Sequence, residues 1–84
     1  MNVTLEAARA LAERKLAELA AGNALGEVRI VDNAIVETDS DWYFPYDAVA
    51  FLDRGEISAA LAGNVPVRVE KSSGEVSLAS PPNW

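Results

Sequence analysis

The stretch from residue 4 to residue 21 contains many alanines and no glycine or proline. This composition favours one long, uninterrupted helix, because alanine has the highest helix propensity. Thr4 is placed to cap the first turn, and Gly22 with Asn23 to end the last one. Apolar residues recur along it at helical spacing, which predicts that one side packs on a core. The predicted apolar stripe consists of Leu5, Ala8, Ala12, Leu16 and Leu19.

The polar side of this predicted helix carries charges of both signs. Arg9 and Glu13 are four residues apart, as are Arg14 and Glu18, a spacing at which opposite charges stabilise a helix. A helix that lies on an anionic membrane is expected to have a basic polar face. The mixed charges therefore favour a core-facing helix over a membrane-surface helix.

After the helix, segments of β-branched or aromatic residues alternate with short clusters of turn residues. This pattern predicts strands joined by tight connections. In the first segment Ile35 is out of phase with Val28 and Ile30, which indicates a bulge or a short turn at Asp32 and Asn33. The predicted strands cover residues 27–38, 42–46, 65–70 and 75–79, with a turn at 39–41 and a hairpin loop at 71–74.

The aromatic segment from residue 42 to residue 46 is the most distinctive part of the sequence. Trp42, Phe44 and Tyr46 share one face of the predicted strand, and we expect Trp42 and Phe44 to point into the core. Tyr43 lies on the opposite face, where we expect it to be exposed. Because Pro45 donates no backbone hydrogen bond, the strand is expected at a sheet edge or to be interrupted there.

A short helix is predicted directly after the aromatic strand. Asp47 is placed to cap a helix over residues 48–54, and Gly55 is placed to end it. A further helical turn is expected over residues 57–61. Trp84, the last residue, either folds back on the domain or remains free to contact another molecule.

The last two predicted strands form a hairpin. Val65, Val67 and Val69 are expected to share one face of the first strand, because successive side chains of a strand point to opposite faces. Val76 and Leu78 are expected to point inward from the second strand.

The order of these elements predicts the fold class. We expect an α+β fold in which a long N-terminal helix packs on a mostly antiparallel, about four-stranded sheet, with a short helix between strands 2 and 3. The chain has 84 residues and no internal repeat or linker, so we expect a single domain over residues 1–84. With no cysteine in the sequence, packing has to hold this domain together without disulfides.

The formal net charge is −6, from 13 acidic and 7 basic residues. Nucleic acids and anionic membranes repel a surface of this sign, whereas a basic protein partner suits it. The same charge also keeps a small protein soluble, and the sequence leaves both explanations open. The N-terminal residues lack the basic and apolar regions of a signal peptide, so we expect a cytoplasmic protein.

The sequence contains no histidine and no cysteine. It therefore lacks the commonest general base, the most reactive nucleophile and the usual ligands of transition metals. Asp39 and Asp41 form an Asp-x-Asp pattern suited to calcium or magnesium, but the glycine and the distal glutamate of an EF-hand loop are missing. A solvated turn is the favoured interpretation. We expect no cofactor, no metal and no enzymatic activity.

Several short motifs follow one another in a specific order between residues 41 and 78. They are an aromatic strand that opens with Trp42, a Phe51-Leu52 helix that ends at Gly55-Glu56, Leu-Ala-Gly-Asn-Val-Pro at 61–66 and Lys-Ser-Ser-Gly-Glu at 71–75. With these motifs at these spacings, the chain resembles the immunity protein 35 family, also known as the YrhB-like domain. It departs from the family pattern at Glu70, where an aspartate is expected before the lysine.

The resemblance implies an immunity protein of a bacterial polymorphic toxin system. Such a protein binds a cognate toxin and neutralises it in the producing cell, by blocking the active site or the substrate groove. The family brings no catalytic residues, and its glycine, asparagine and proline motifs have structural explanations in turns and strand entries. Acidic residues would steer a basic toxin, and a tyrosine would supply tight contact. The residues expected to bind the toxin are Asp32, Glu37, Asp39, Asp41 and Tyr43.

Two other functions stay open from the sequence. The YrhB label suggests a small chaperone-like or stress-related protein that holds clients through exposed apolar surface. The other open function is that of a non-inhibitory subunit in a larger assembly. An immunity protein is expected to have one tight partner and a toxin gene beside its own, whereas a chaperone is expected to have many weak partners.

Overall fold

A computed structural model describes residues 2–23, 26–56 and 65–82 of the chain. The helical turn expected over residues 57–61 and the position of Trp84 lie outside these residues. So does most of the motif at 61–66. The chain forms an α+β fold in which a long N-terminal helix packs on antiparallel strands, as the sequence predicts.

The long helix, α1, spans Leu5–Asn23. Thr4 caps it as predicted, because its Oγ1 accepts a hydrogen bond from the backbone N–H of Ala7 at 3.2 Å. The buried positions of the helix are Ala8, Ala12 and Leu16. The prediction was wrong for Leu5, which remains 42% exposed because burial begins one turn further along the helix.

In the residues that the structure describes, six short strands follow the helix and form two antiparallel sheets. The four-stranded sheet has the order β2-β3-β5-β6, and β1 pairs with β4 in a separate two-stranded ribbon. The predicted antiparallel sheet is therefore confirmed, with the ribbon as an addition to it. The elements are β1 Val28–Ile30, a 3-10 turn Asp32–Ala34, β2 Val36–Glu37, β3 Asp41–Phe44, β4 Tyr46–Ala48, helix α2 Val49–Arg54, β5 Val67–Glu70 and β6 Val76–Leu78.

Two breaks in neighbouring chain segments divide the sheet from the ribbon. The 3-10 turn interrupts one segment between β1 and β2, and Pro45 interrupts the other between β3 and β4. The backbone N–H of Val31 donates to the carbonyl oxygen of Pro45 at 2.8 Å, so the breaks lie side by side. Between ribbon and sheet the pairing register shifts by three residues, the length of the 3-10 turn. The alternatives of a bulge or a turn at Asp32 are thus resolved in favour of a turn.

The core lies between α1 and the face of the four-stranded sheet that carries Phe44, Val67 and Val69. All three side chains are fully buried. Ile30 and Tyr46 extend the same core from the ribbon. The expectation that Phe44 points into the core is confirmed. Trp42 is partly buried and packs against the core.

Three local predictions were wrong. Val65 lies before β5 and is 36% exposed, and Leu78 on the edge strand β6 is 43% exposed instead of pointing inward. Asp47 belongs to β4, where its Oδ1 accepts a hydrogen bond from the backbone N–H of Ala48 at 2.7 Å. Ala48 therefore occupies the N-cap position of α2, without a side-chain cap. The predicted end of α2 at Gly55 is confirmed, since Gly55 has the left-handed conformation with φ of 69°.

The burial of α1 predicts different costs for two leucines of the same helix. Leu16→Ala should lower the free energy of unfolding by about 2–5 kcal/mol, because Leu16 is 4% exposed and its removal leaves a cavity. Leu5→Ala should cost less than about 1 kcal/mol, since that side chain is 42% exposed. Urea denaturation followed by circular dichroism measures both values. Equal costs for the two variants would contradict the position of the core.

Candidate functional site

The structure does not bring the five predicted toxin-binding residues together on one exposed surface. Asp32, Glu37 and Asp39 are exposed. Asp41 and Tyr43 are only 4% and 5% exposed. The expectation that Tyr43 is exposed was therefore wrong, although it does lie on the sheet face opposite Trp42. Asp41 is likewise inaccessible to a partner in this conformation.

Asp41 has a structural role that its sequence neighbours do not reveal. Its Oδ1 lies 2.9 Å from Nε of Arg68 on the adjacent strand β5. Oδ1 accepts no aligned hydrogen bond from the described residues, so this contact is an ion pair. Oδ2 accepts a hydrogen bond from the hydroxyl of Ser40 at 2.7 Å. The Asp41 carboxylate raises the pKa of the Arg68 guanidinium above its ordinary value, because it favours the charged form.

The turn that precedes Asp41 is also fixed by this residue. Its backbone N–H donates to Oγ1 of Thr38 at 3.1 Å, and its carbonyl oxygen accepts from the Thr38 backbone N–H at 2.9 Å. The predicted turn at 39–41 is therefore present, with Asp41 as the first residue of β3. Of the two acidic residues in this turn, Asp39 is exposed to solvent and Asp41 is buried.

Glu37 belongs to a polar cluster around Trp42. The Nζ atom of Lys71 lies 2.7 Å from Oε2 of Glu37 and 4.7 Å from the centre of the Trp42 ring. A cation at this position over an indole ring is attracted by its negative face. The Nε1–H of Trp42 donates to the carbonyl oxygen of Val3 at 3.2 Å. This cluster ties the start of α1 to the β5–β6 hairpin, and Glu37 remains 56% exposed at its edge.

A surface groove of about 390 Å³ lies between α1 and β1. This volume falls within the about 300–1,000 Å³ that binding clefts in proteins commonly have. Apolar side chains from both elements form part of its lining, and charged side chains complete it. The lining residues are Arg9, Glu13, Leu16, Ala17, Ala20, Gly26, Glu27, Val28, Arg29, Ile30 and Asp32.

The two arginines of the groove are each held by carboxylates. Nη2 of Arg9 lies 2.8 Å from Oδ1 of Asp32, and Nη1 of Arg9 pairs with Glu13 one helical turn away. The hydrogen bond to Asp32 raises the pKa of Arg9, against the opposing effect of burial. Arg29 pairs with Asp53 of α2 at 2.8 Å. Asp32 is therefore the one predicted binding residue that lines the groove.

Sequence reasoning missed this groove because each of its parts has an ordinary explanation. The spacing of Arg9 and Glu13 predicts a helical ion pair, which is confirmed. Val28 and Ile30 were predicted to lie in a strand, and in the structure Ile30 belongs to the core and Val28 packs against it. The partner of Arg9 across the groove, Asp32, is distant in sequence. Nothing in the sequence indicates that α1 and β1 leave space between them.

Two further properties concern chemistry and membranes. Within residues 2–23, 26–56 and 65–82, no three acidic side chains converge to form a possible metal site. Among the helices that the structure describes, none combines the length and the apolar character required to cross a bilayer.

The fold and the groove define a small α+β domain with a surface suited to binding. Comparison with known protein families gives its class. The family model of immunity protein 35 matches residues 6–84, and the chain belongs to this family. The resemblance inferred from the motifs at 41–78 is thereby confirmed over nearly the whole chain.

One relative among curated proteins is the uncharacterized protein YrhB of Escherichia coli (strain K12). The two sequences are 49% identical over 35 residues, which make up 42% of this chain and 37% of YrhB. The matched stretch thus covers well under half the length of this relative. No solved structure matches the chain.

The position of Asp41 predicts that this residue stabilises the fold. Asp41→Asn keeps the shape of the side chain and removes its charge, which leaves Arg68 with only the more distant Glu70 carboxylate, at 3.7 Å. We expect a loss of about 1–3 kcal/mol in the free energy of unfolding, at the lower end for buried ion pairs because Arg68 is partly hydrated.

The matched control for this variant is Asp39→Asn in the same turn. Asp39 is exposed, so its replacement should change the free energy of unfolding by less than about 0.5 kcal/mol. Thermal or urea denaturation distinguishes the two variants. A neutral result for Asp41→Asn would remove the structural role assigned to the ion pair.

Proposed function

We propose that this chain is the antidote to a bacterial toxin and acts as a stoichiometric inhibitor in the cytoplasm of the toxin-producing cell. The observation that carries the proposal is the match of the immunity protein 35 family over residues 6–84. Inhibition proceeds by binding over the toxin's active site or substrate groove. The chain itself performs no chemical step.

The chemical character of the chain supports inhibition by binding. Its sequence has no imidazole and no thiol, so general base catalysis at neutral pH and thiolate attack have no obvious carrier. Asp41, its most buried carboxylate in the described residues, is engaged by Arg68 and Ser40. What remains for function is the shape and charge of the exterior.

The charge of the chain favours a toxin with a basic contact surface. The net charge of −6 raises the rate of encounter with a positively charged partner. Asp32, Glu37 and Asp39 are the exposed members of the set predicted to bind the toxin. In this proposal the three exposed acids contact or steer the toxin directly. Asp41 and Tyr43 are buried residues of β3 and stabilise that strand.

A titration of toxin activity tests the proposal. The toxin to use is the C-terminal domain of a large secreted protein encoded beside the gene for this chain, first checked by rescue of growth on co-expression. Its activity should fall in proportion to the added chain and reach zero at about one equivalent, as expected for tight binding.

Two outcomes would contradict this mechanism. Complete protection by far less than one equivalent would indicate a catalytic antidote. Absence of any protection, with suppressed aggregation of unrelated unfolded proteins, would favour the chaperone-like alternative. A lysozyme aggregation assay at equal protein concentration provides that comparison.

Charge reversal tests the steering role of the exposed acids. Asp32→Lys combined with Asp39→Lys should lower the association rate constant for the toxin by about tenfold at low ionic strength, because it reverses the local potential. Raising the salt concentration should narrow the difference from the wild-type chain. Stopped-flow or surface-binding kinetics give these rates.

The control variant is Glu18→Lys combined with Glu56→Lys. It changes the net charge by the same amount at two exposed positions on other parts of the surface. Association should slow far less than with the Asp32 and Asp39 pair. Equal slowing by both variants would assign the effect to net charge and remove this surface as the contact.

A further inference from the structure

The ribbon of β1 and β4 leaves one edge of β1 without a neighbouring strand among the described residues. Two backbone hydrogen bonds show which edge this is. The N–H of Val31 donates to the carbonyl oxygen of Pro45 at 2.8 Å, and the N–H of Val49 donates to that of Glu27 at 3.0 Å. These bonds lie two residues to either side of Arg29 on β1.

Hydrogen-bonded and non-hydrogen-bonded pairs alternate along an antiparallel ladder. Arg29 and Asp47 therefore form the hydrogen-bonded pair within the ribbon. It follows that the backbone N–H and C=O groups of Val28 and Ile30 point away from β4. The carbonyl oxygen of Ile30 accepts a long hydrogen bond of 3.4 Å from Nη1 of Arg29.

The groove runs along this open edge of β1. Every residue from Gly26 to Ile30 lines it. Since successive side chains of a strand point to opposite faces, a cavity in contact with consecutive residues follows the edge of the strand. No residue of β4 lines the groove, so the groove follows the edge at which the backbone groups of Val28 and Ile30 point away from β4.

The opposite wall of the groove belongs to α1. Leu16, Ala17 and Ala20 present apolar surface there. The small alanine side chains leave room for a chain segment between the helix and β1. A strand placed along β1 would alternate side chains between this apolar wall and the solvent.

The charges around the groove favour a basic occupant. Arg9 already pairs with Asp32 and Glu13. Arg29 pairs with Asp53 at 2.8 Å. Glu27 is exposed and has no ion pair within the part of the chain that the structure describes. Carboxylates thus outnumber guanidinium groups here, on a chain with a net charge of −6.

We propose that this groove receives an extended, basic segment of the toxin, which adds to the ribbon as a strand beside β1. Main-chain hydrogen bonds to Val28 and Ile30 supply the pairing, as in other cases of strand addition to a sheet edge. Apolar side chains of the segment pack on α1, and basic ones meet Glu27 and Asp32. This inference rests on the proposed function and specifies the surface through which it acts.

A peptide titration tests strand addition independently of any toxin. The probe is a short capped peptide of alternating lysine and valine, added to the isotope-labelled chain and followed by NMR. At a concentration about ten times its Kd, the peptide should slow amide exchange of Val28 and Ile30 by about tenfold. A peptide of alternating glutamate and valine should have no such effect, and neither should one in which proline replaces each valine, because proline has no N–H.

Two tryptophan variants on α1 provide the matched controls. Ala17 and Ala7 are both exposed, but only Ala17 lines the groove. Ala17→Trp should fill the groove and weaken peptide binding by at least about tenfold, whereas Ala7→Trp should leave it unchanged. The amide spectrum of each variant reports that it is folded.

The possible failures separate the two proposals. Three results would overturn strand addition at the groove. They are unchanged amide exchange at Val28 and Ile30, equal binding of the glutamate peptide, and slowed amide exchange at the edge strand β6 instead of at β1. If the chain still neutralises its toxin in those cases, the proposed function stands with another contact surface. If Ala17→Trp neutralises the toxin as well as Ala7→Trp, the groove is not that surface.

Discussion

Close packing between α1 and the four-stranded sheet holds the rest of the molecule in position. Ala8 and Ala12 present only methyl groups, so the helix can approach the layer of Phe44, Val67 and Val69 closely. A chain of this length buries only about 60–65% of the surface that its unfolded form exposes, and it has no disulfide to compensate. The short strands and α2 therefore depend for their stability on the apolar surface buried at this one interface.

Polar side chains then fix the strands around that interface. The ion pair of Asp41 and Arg68 joins β3 to β5, and Lys71 joins Glu37 to the ring of Trp42. These contacts give Asp41 and Glu37 structural roles that the sequence alone did not indicate. They also reduce the set of acids that remain available to a partner.

The division of the strands between sheet and ribbon creates the surface that we connect with function. Because the 3-10 turn and Pro45 break their segments at adjacent positions, β1 and β4 leave the four-stranded sheet together. One edge of β1 then faces the groove beside α1. In the strand addition that we propose, this edge supplies main-chain pairing and the groove supplies side-chain selectivity for a toxin segment.

The sequence by itself determined the long helix, the α+β class and the family, because these depend on local composition, periodicity and ordered motifs. At Asp32 it left a bulge or a turn open, and at Pro45 an edge strand or an interruption, and the structure decided both. The tertiary structure decided the exposure of Tyr43 and Asp41 and the existence of the groove. Alternation along a strand states which side chains share a face, but burial of a face depends on what packs against it. The partner of Asp41 lies on β5, and the register that brings Arg68 to it arises only when the strands pair.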